Sequence, residues 1–183
     1  AGPGSGKTAV ITHRTKNLIE KYGVSPSEIL VVTFTKAAAM EMKERFLSLT
    51  NQTSTTATFG TFHAVFFTVL KYAYHYRAEN IIRDEQKVVF IRNLLRHFPI
   101  DYEDENECIQ TLLSEISGVK NSNIPIEHYY SSNFPEHTFR DVFMNYQKML
   151  QKNRLIDFDD MLVYTYELFS QRKDILALWQ KKF

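Results

Sequence analysis

Apolar residues recur at helical spacing near the start of the chain. Val10, Ile11, Leu18, Ile19 and Tyr22 share one face, and Gly23 stands where a helix end favours a left-handed residue. The spacing predicts a helix over 8–22. After the turn Ser25-Pro26-Ser27-Glu28 comes Ile29 to Phe34, a short continuous apolar run that reads as a strand buried on both faces. A helical pattern over 37–49 follows, then the polar loop 51–57, a second short strand over 58–62 and a helix over 63–76. This alternation predicts an α/β domain with a parallel sheet.

From about Arg77 the strand pattern stops. Helical segments are expected over 85–97, capped by Asp84, over 105–119 and over 139–153. Between them lie the turn-rich stretches N-S-N-I-P and S-S-N-F-P. This middle part reads as an all-helical insertion. Asp157-Phe158-Asp159-Asp160 then opens two more helices, over 159–170 and 174–183. Either Asp157 or Asp159 suits a helix N-cap, and acidic residues suit a first turn.

The first eight residues, AGPGSGKT, carry the most specific chemistry. Glycines let backbone N–H groups close round a polyphosphate where Cβ atoms would block the approach. Lys7 would reach the terminal phosphates, the Thr8 hydroxyl would ligate Mg²⁺, and the following helix would add its positive end. Ala1 stands where a glycine is usual in such loops. The competing reading is a flexible glycine-rich terminus.

Composition adds bounds. The 183 residues are 44% hydrophobic and 23% charged, as in ordinary globular proteins. A net charge of +1 gives no global basic field for nucleic acid, though a local groove needs none. The single cysteine, Cys108, reads as a small buried side chain. No apolar run is long enough to span a bilayer and no secretory signal precedes the loop, so no membrane partner and a cytoplasmic location are expected.

In this order, AGPGSGKT, VVTFTKAAAMEMKERF, TFGTFHAVF and LIDFDDML resemble the UvrD/Rep/PcrA branch of superfamily 1 DNA helicases. The resemblance implies a P-loop NTPase domain with a RecA-like parallel sheet, flanking helices and an all-helical insertion. Residues 1–76 would be the first part of ATPase domain 1A, 77–155 the helical subdomain 1B, and 156–183 the return to 1A. It also implies that the chain starts after one strand and stops before the strand bearing the family's D-E-x-Q motif.

The resemblance further implies an ATP-hydrolysing helicase or translocase moving 3′ to 5′. Its partners would be single-stranded DNA, a duplex junction and a second RecA-like domain of the same protein. Ala1, Gly2, Pro3, Gly4, Ser5, Gly6, Lys7 and Thr8 would hold ATP, with Lys7 and Thr8 catalytic and Thr8 on Mg²⁺. Thr33, Phe34, Thr35 and Lys36 would contact DNA, as would Gly60, Thr61, Phe62, His63 and Phe158. Lys36 stands where the family commonly has Asn before its Lys. By itself the chain is expected to hydrolyse ATP poorly or not at all.

Other readings stay open at this level. Phe34 and Phe62 also suit a core at strand ends. Asp157, Asp159 and Asp160 also suit a two-metal nuclease. Lys43, Arg45, Lys148, Lys152 and Arg154 read as solvated helix faces. Another P-loop enzyme such as a small-molecule kinase, and a non-catalytic single-strand-binding module, are the alternative functions.

Overall fold

The structure, a computed structural model, describes residues 6–98, 100–122 and 124–183. It is mostly helical, with a two-stranded parallel sheet. The chain divides into two compact units, one of residues up to 68 together with 168–183, the other of 69–167.

In the first unit, α1 (Lys7–Glu20) ends at Gly23, whose φ of 70° lets its N–H return to the Ile19 carbonyl at 3.2 Å. Strand β1 (Leu30–Thr33) follows, then α2 (Lys36–Thr50) and strand β2 (Thr58–Thr61). The strands pair in parallel from Leu30 opposite Thr58 to Thr33 opposite Thr61. Such pairing requires a crossover, which α2 supplies. The alanine-rich start of α2 favours helix, the Thr35 hydroxyl caps it by accepting from the Ala38 N–H at 3.1 Å, and left-handed Asn51 ends it.

Ile29, Val31 and Ala57 form the small core here, packed by Leu18, Ile19, Val24, Met42 and Phe59. Two details correct the pattern-based reading. β1 is not buried on both faces: Val31 is its one buried residue, because among the described residues the strand has a single neighbour. Val10 and Ile11 of α1 and Tyr22 just past its end are exposed, while Thr12 and Thr15 are buried with their hydroxyls donating to the preceding turn.

Helix α3 (Phe62–Tyr74) starts directly after β2. The second unit is then built from α4 (Asp84–Leu95), α5 (Glu105–Ser122), α6 (Glu136–Lys152) and the first part of α7 (Phe158–Gln171). A last helix, α8 (Lys173–Lys182), belongs to the first unit. Asp84 lies inside α4 rather than capping it; the Gln86 carboxamide accepts from the Arg83 N–H at 3.0 Å instead. Helix α5 is started by Asp104, whose carboxylate accepts from the N–H groups of Asn106 and Glu107.

The core of this unit contains Ile91, Ile109, Leu112, Ile116, Phe139, Val142, Tyr146 and Leu150, drawn from α4, α5 and α6. Cys108 is buried among them, and its thiol is pushed up by burial and by Glu105. Glu115 is buried too, and it is satisfied: it accepts from the Tyr129 hydroxyl, the Ser132 N–H and the Asn133 amide. Phe139 is the centre of an aromatic group with Tyr129, Phe134 and Phe143. Replacing it with Ala is expected to cost about 3–5 kcal/mol, read as a lowered urea midpoint. A loss below about 1 kcal/mol, the size of an ordinary surface change, would contradict its place in the core.

Candidate nucleic-acid interface

Thr33 and Thr61 are partners in the register at the carboxyl ends of the two strands. The chain turns into α2 three residues after Thr33 and into α3 one residue after Thr61, so both helices begin at the same edge of the sheet. Open α/β sheets place ligands at that edge. The Thr61 hydroxyl accepts from the Ala64 N–H at 3.2 Å, as Thr35 does for Ala38. Each cap uses an oxygen lone pair and leaves the hydroxyl proton to be donated.

Two aromatic rings stand between these caps. Phe34 and Phe62 have ring centroids 5.6 Å apart at 49°, and Phe62 continues to Phe66 at 6.2 Å. Phe34 is 86% exposed, which excludes a core role for it. Phe62 and His63, the first two residues of α3, are half-buried, and Lys36 at the start of α2 is exposed. A Cβ on Gly60 would meet Val65 at 3.8 Å, ordinary contact, so packing does not demand glycine there.

Lys7 and Thr8 open α1 behind Gly6, which has a φ of 76° and an open surrounding. Ala1, Gly2, Pro3, Gly4 and Ser5 lie outside the described residues. The first turns of α1, α2 and α3 contain no acidic residue. Every later α-helix has at least one: Asp84, Glu105, Glu136, Asp159 and Asp174 are examples. The first turns of these three helices thus place no negative charge of their own at the positive helix ends, which suits an anion. A groove of about 600 Å³ along α1, lined by Val10, His13, Arg14 and Tyr22 among others, contains none of the predicted site residues.

The residues matching the family model described as UvrD/REP helicase N-terminal domain are 1–183. The chain belongs to this family. Relatives of this UvrD/REP domain include a probable DNA helicase II homolog of Mycoplasma capricolum, 37% identical over 192 residues. They also include ATP-dependent DNA helicase PcrA of Bacillus subtilis, 32% identical over 189, and PcrA of Staphylococcus aureus, 31% over 198. Each alignment covers all of this chain and 25–26% of the relative, so the chain spans about a quarter of those proteins' length. No α-helix among the described residues is long and apolar enough to cross a membrane.

In the second unit of this UvrD/REP domain, Phe158 is the first residue of α7 and half of its surface is exposed. Its flanking acids do not gather a metal: no cluster of three or more His, Cys, Asp or Glu suited to one occurs among the described residues. Instead they cap. The Asp157 carboxylate accepts from the Asp160 N–H at 2.8 Å, and the Asp160 carboxylate accepts from the Asp157 N–H at 3.0 Å.

Lys120, from α5, donates to both acids, at 2.5 Å to Asp157 and 2.8 Å to Asp160. The Tyr146 hydroxyl donates to Asp157 at 3.1 Å. All four side chains are buried. Sequence reasoning missed Lys120 and Tyr146, which lie 37 and 11 residues from Asp157. Arg154 is solvent-exposed, as its sequence context suggests, but not on a helix face. It lies past the end of α6 with φ 51°, donates to the Tyr74 carbonyl at 2.9 Å and covers the Tyr76 ring.

Burial works against an ionised Asp157, but the charge and hydrogen bond of Lys120 hold it below the usual carboxylate range. Burial and the neighbouring Asp157 push Asp160 up to about 6. Burial, then Asp157, raises Tyr146, while burial and Asp160 raise Tyr164 and Tyr76. Asp160 thus contributes stability that is full below about 3.8 and lost as pH rises through about 6. Asp157 contributes in the opposite sense, losing stability as pH falls below its ordinary value of 3.8.

Lys120→Met would strand two buried carboxylates and cost about 3–5 kcal/mol at pH 8. Both carboxyls would then bind protons more tightly in the folded state, so the deficit should shrink as pH is lowered through 6 towards 4. Urea unfolding at pH 8 and pH 5 reads this; an equal deficit at both values contradicts the buried triad.

Proposed function

We propose that this chain forms the first part of the motor domain of an ATP-dependent DNA helicase or translocase moving 3′ to 5′. Its strands belong to a RecA-like sheet with a P-loop, and residues 77–155 form an all-helical insertion. The observation that carries this is the set of three helices with acid-free first turns, two of them starting beside an aromatic pair at a sheet's carboxyl edge. The names of the relatives, DNA helicase II homolog and ATP-dependent DNA helicase PcrA, point the same way.

The groups present fit ATP and Mg²⁺. Gly6 has no Cβ, and among the described residues none stands where one would meet it; Lys7 is exposed at the helix start, and the first turn of α1 contains no acidic residue. Gly4, Ser5, Gly6 and Lys7 would hold the phosphates, and the Thr8 hydroxyl would ligate the metal. ATP, when bound, supplies the free energy of phosphoryl transfer. Thr33, Thr35, Thr61, Lys36 and His63 would hold DNA phosphates, while Phe34, Phe62 and Phe158 stack on bases. A duplex junction and a second RecA-like domain would complete the machine.

The test is the ATPase rate of the full-length protein with and without single-stranded DNA. Strong stimulation is expected, and Lys7→Ala should abolish turnover. Phe34→Ala should weaken single-strand binding roughly 5- to 100-fold, the stacking worth of one base. Turnover that ignores DNA would favour a P-loop enzyme of the small-molecule kinase class. Single-strand binding without any turnover would favour a non-catalytic module.

A further inference from the structure

The three acids around Phe158 are tied down by two consecutive residues at the end of α5. Lys120 holds Asp157 and Asp160, and the Asn121 amide donates to the Asp159 carboxylate at 2.8 Å. That amide is itself aimed, since it also donates to the Ser117 carbonyl at 2.9 Å one turn earlier. Starting a helix needs one cap. Here the reciprocal bonds of Asp157 and Asp160 already supply two, and Lys120 is added in spite of what it costs to bury a cation. Asp159, the next residue after Phe158, is restrained as well. The backbone on both sides of one exposed aromatic ring is thereby fixed more firmly than helix initiation requires.

We propose that Lys120 and Asn121 are positioning residues that set the Phe158 ring for stacking on a base of single-stranded DNA. This rests on the nucleic-acid reading above. The gain is preorganisation: a ring whose backbone is already fixed loses little further freedom when a base arrives. It also means that any displacement at the end of α5 reaches Phe158 directly, through three hydrogen-bonded side chains rather than through diffuse packing.

The experiment is a double-mutant cycle in the full-length protein, with single-stranded oligodeoxythymidylate carrying one 2-aminopurine as the probe, at fixed salt. Phe158→Ala should weaken binding roughly tenfold and relieve the stacking quench of the probe. Asn121→Ala, on an exposed side chain, should shift Tm by no more than about 2 °C. It should nevertheless weaken binding roughly threefold, the low end for residues coupled in one network. In a Phe158→Ala background it should change nothing.

An equal loss in both backgrounds overturns the positioning role and leaves the DNA contact of Phe158 standing. No loss on Phe158→Ala overturns both. The same cycle with Lys120→Met extends the test to the buried cation, and Asn121→Ala decides the matter even where Lys120→Met does not fold.

Discussion

A single ammonium group between two buried carboxylates organises the second unit. Lys120 reaches from α5 to Asp157 and Asp160 at the start of α7, with the Tyr146 hydroxyl of α6 on the same Asp157. Three helices therefore converge on one charged cluster beside a largely apolar core. With two acids and one base the cluster is one negative charge in excess, and burial resists that excess. The protein accommodates it unevenly: Asp157 keeps its charge, and Asp160 carries the upward shift. Apolar packing alone would tolerate small slides of α5 against α7. Directional bonds to a buried charge do not, because any slide leaves a charge unpaired.

The edge where α2 and α3 begin follows a different logic. There Thr35 and Thr61 complete the helix starts with their oxygen atoms, and the first turns contain no acidic residue of their own. One unit hides its charges and satisfies them. The other leaves the partial charge of its helix starts on display.

Much of this could be read from residue order, and the reasons for success and failure are local. Helix and strand placement came through because period and capping chemistry agree over most segments: the alanines of α2, Gly23 after α1, and the polar loop 51–57 before β2. The depth of burial did not come through. An apolar run such as Ile29 to Phe34 says nothing of how many strands will flank it, and Phe34 stands almost fully exposed. The acids 157, 159 and 160 announced a helix start, as the structure has it. Their third partner lies on another helix, and a lysine in a mixed stretch such as GVKNS carries no mark of burial. The phosphate-binding reading of residues 1–5 lies outside the described part, and Gly6, Lys7 and Thr8 alone represent the loop.

Within the second unit, the chain enters and leaves the stretch that holds α4, α5 and α6 through one narrow neck. The Ile82 N–H donates to the Ile156 carbonyl at 2.9 Å, the Ile156 N–H donates to the Asn80 carbonyl at 2.8 Å, and the Asn80 amide donates to the Arg154 carbonyl. Everything between is a loop whose two ends are already joined, and lengthening such a loop costs little entropy. Away from Lys120, Asn121 and Tyr146, which hold the start of α7, the segments between Ile82 and Arg154 can thus lengthen or shorten over evolution, or in the laboratory, while the neck delivers the chain to Asp157 at the same point. The length of the bundle's far loops and the start of α7 are separate inheritances.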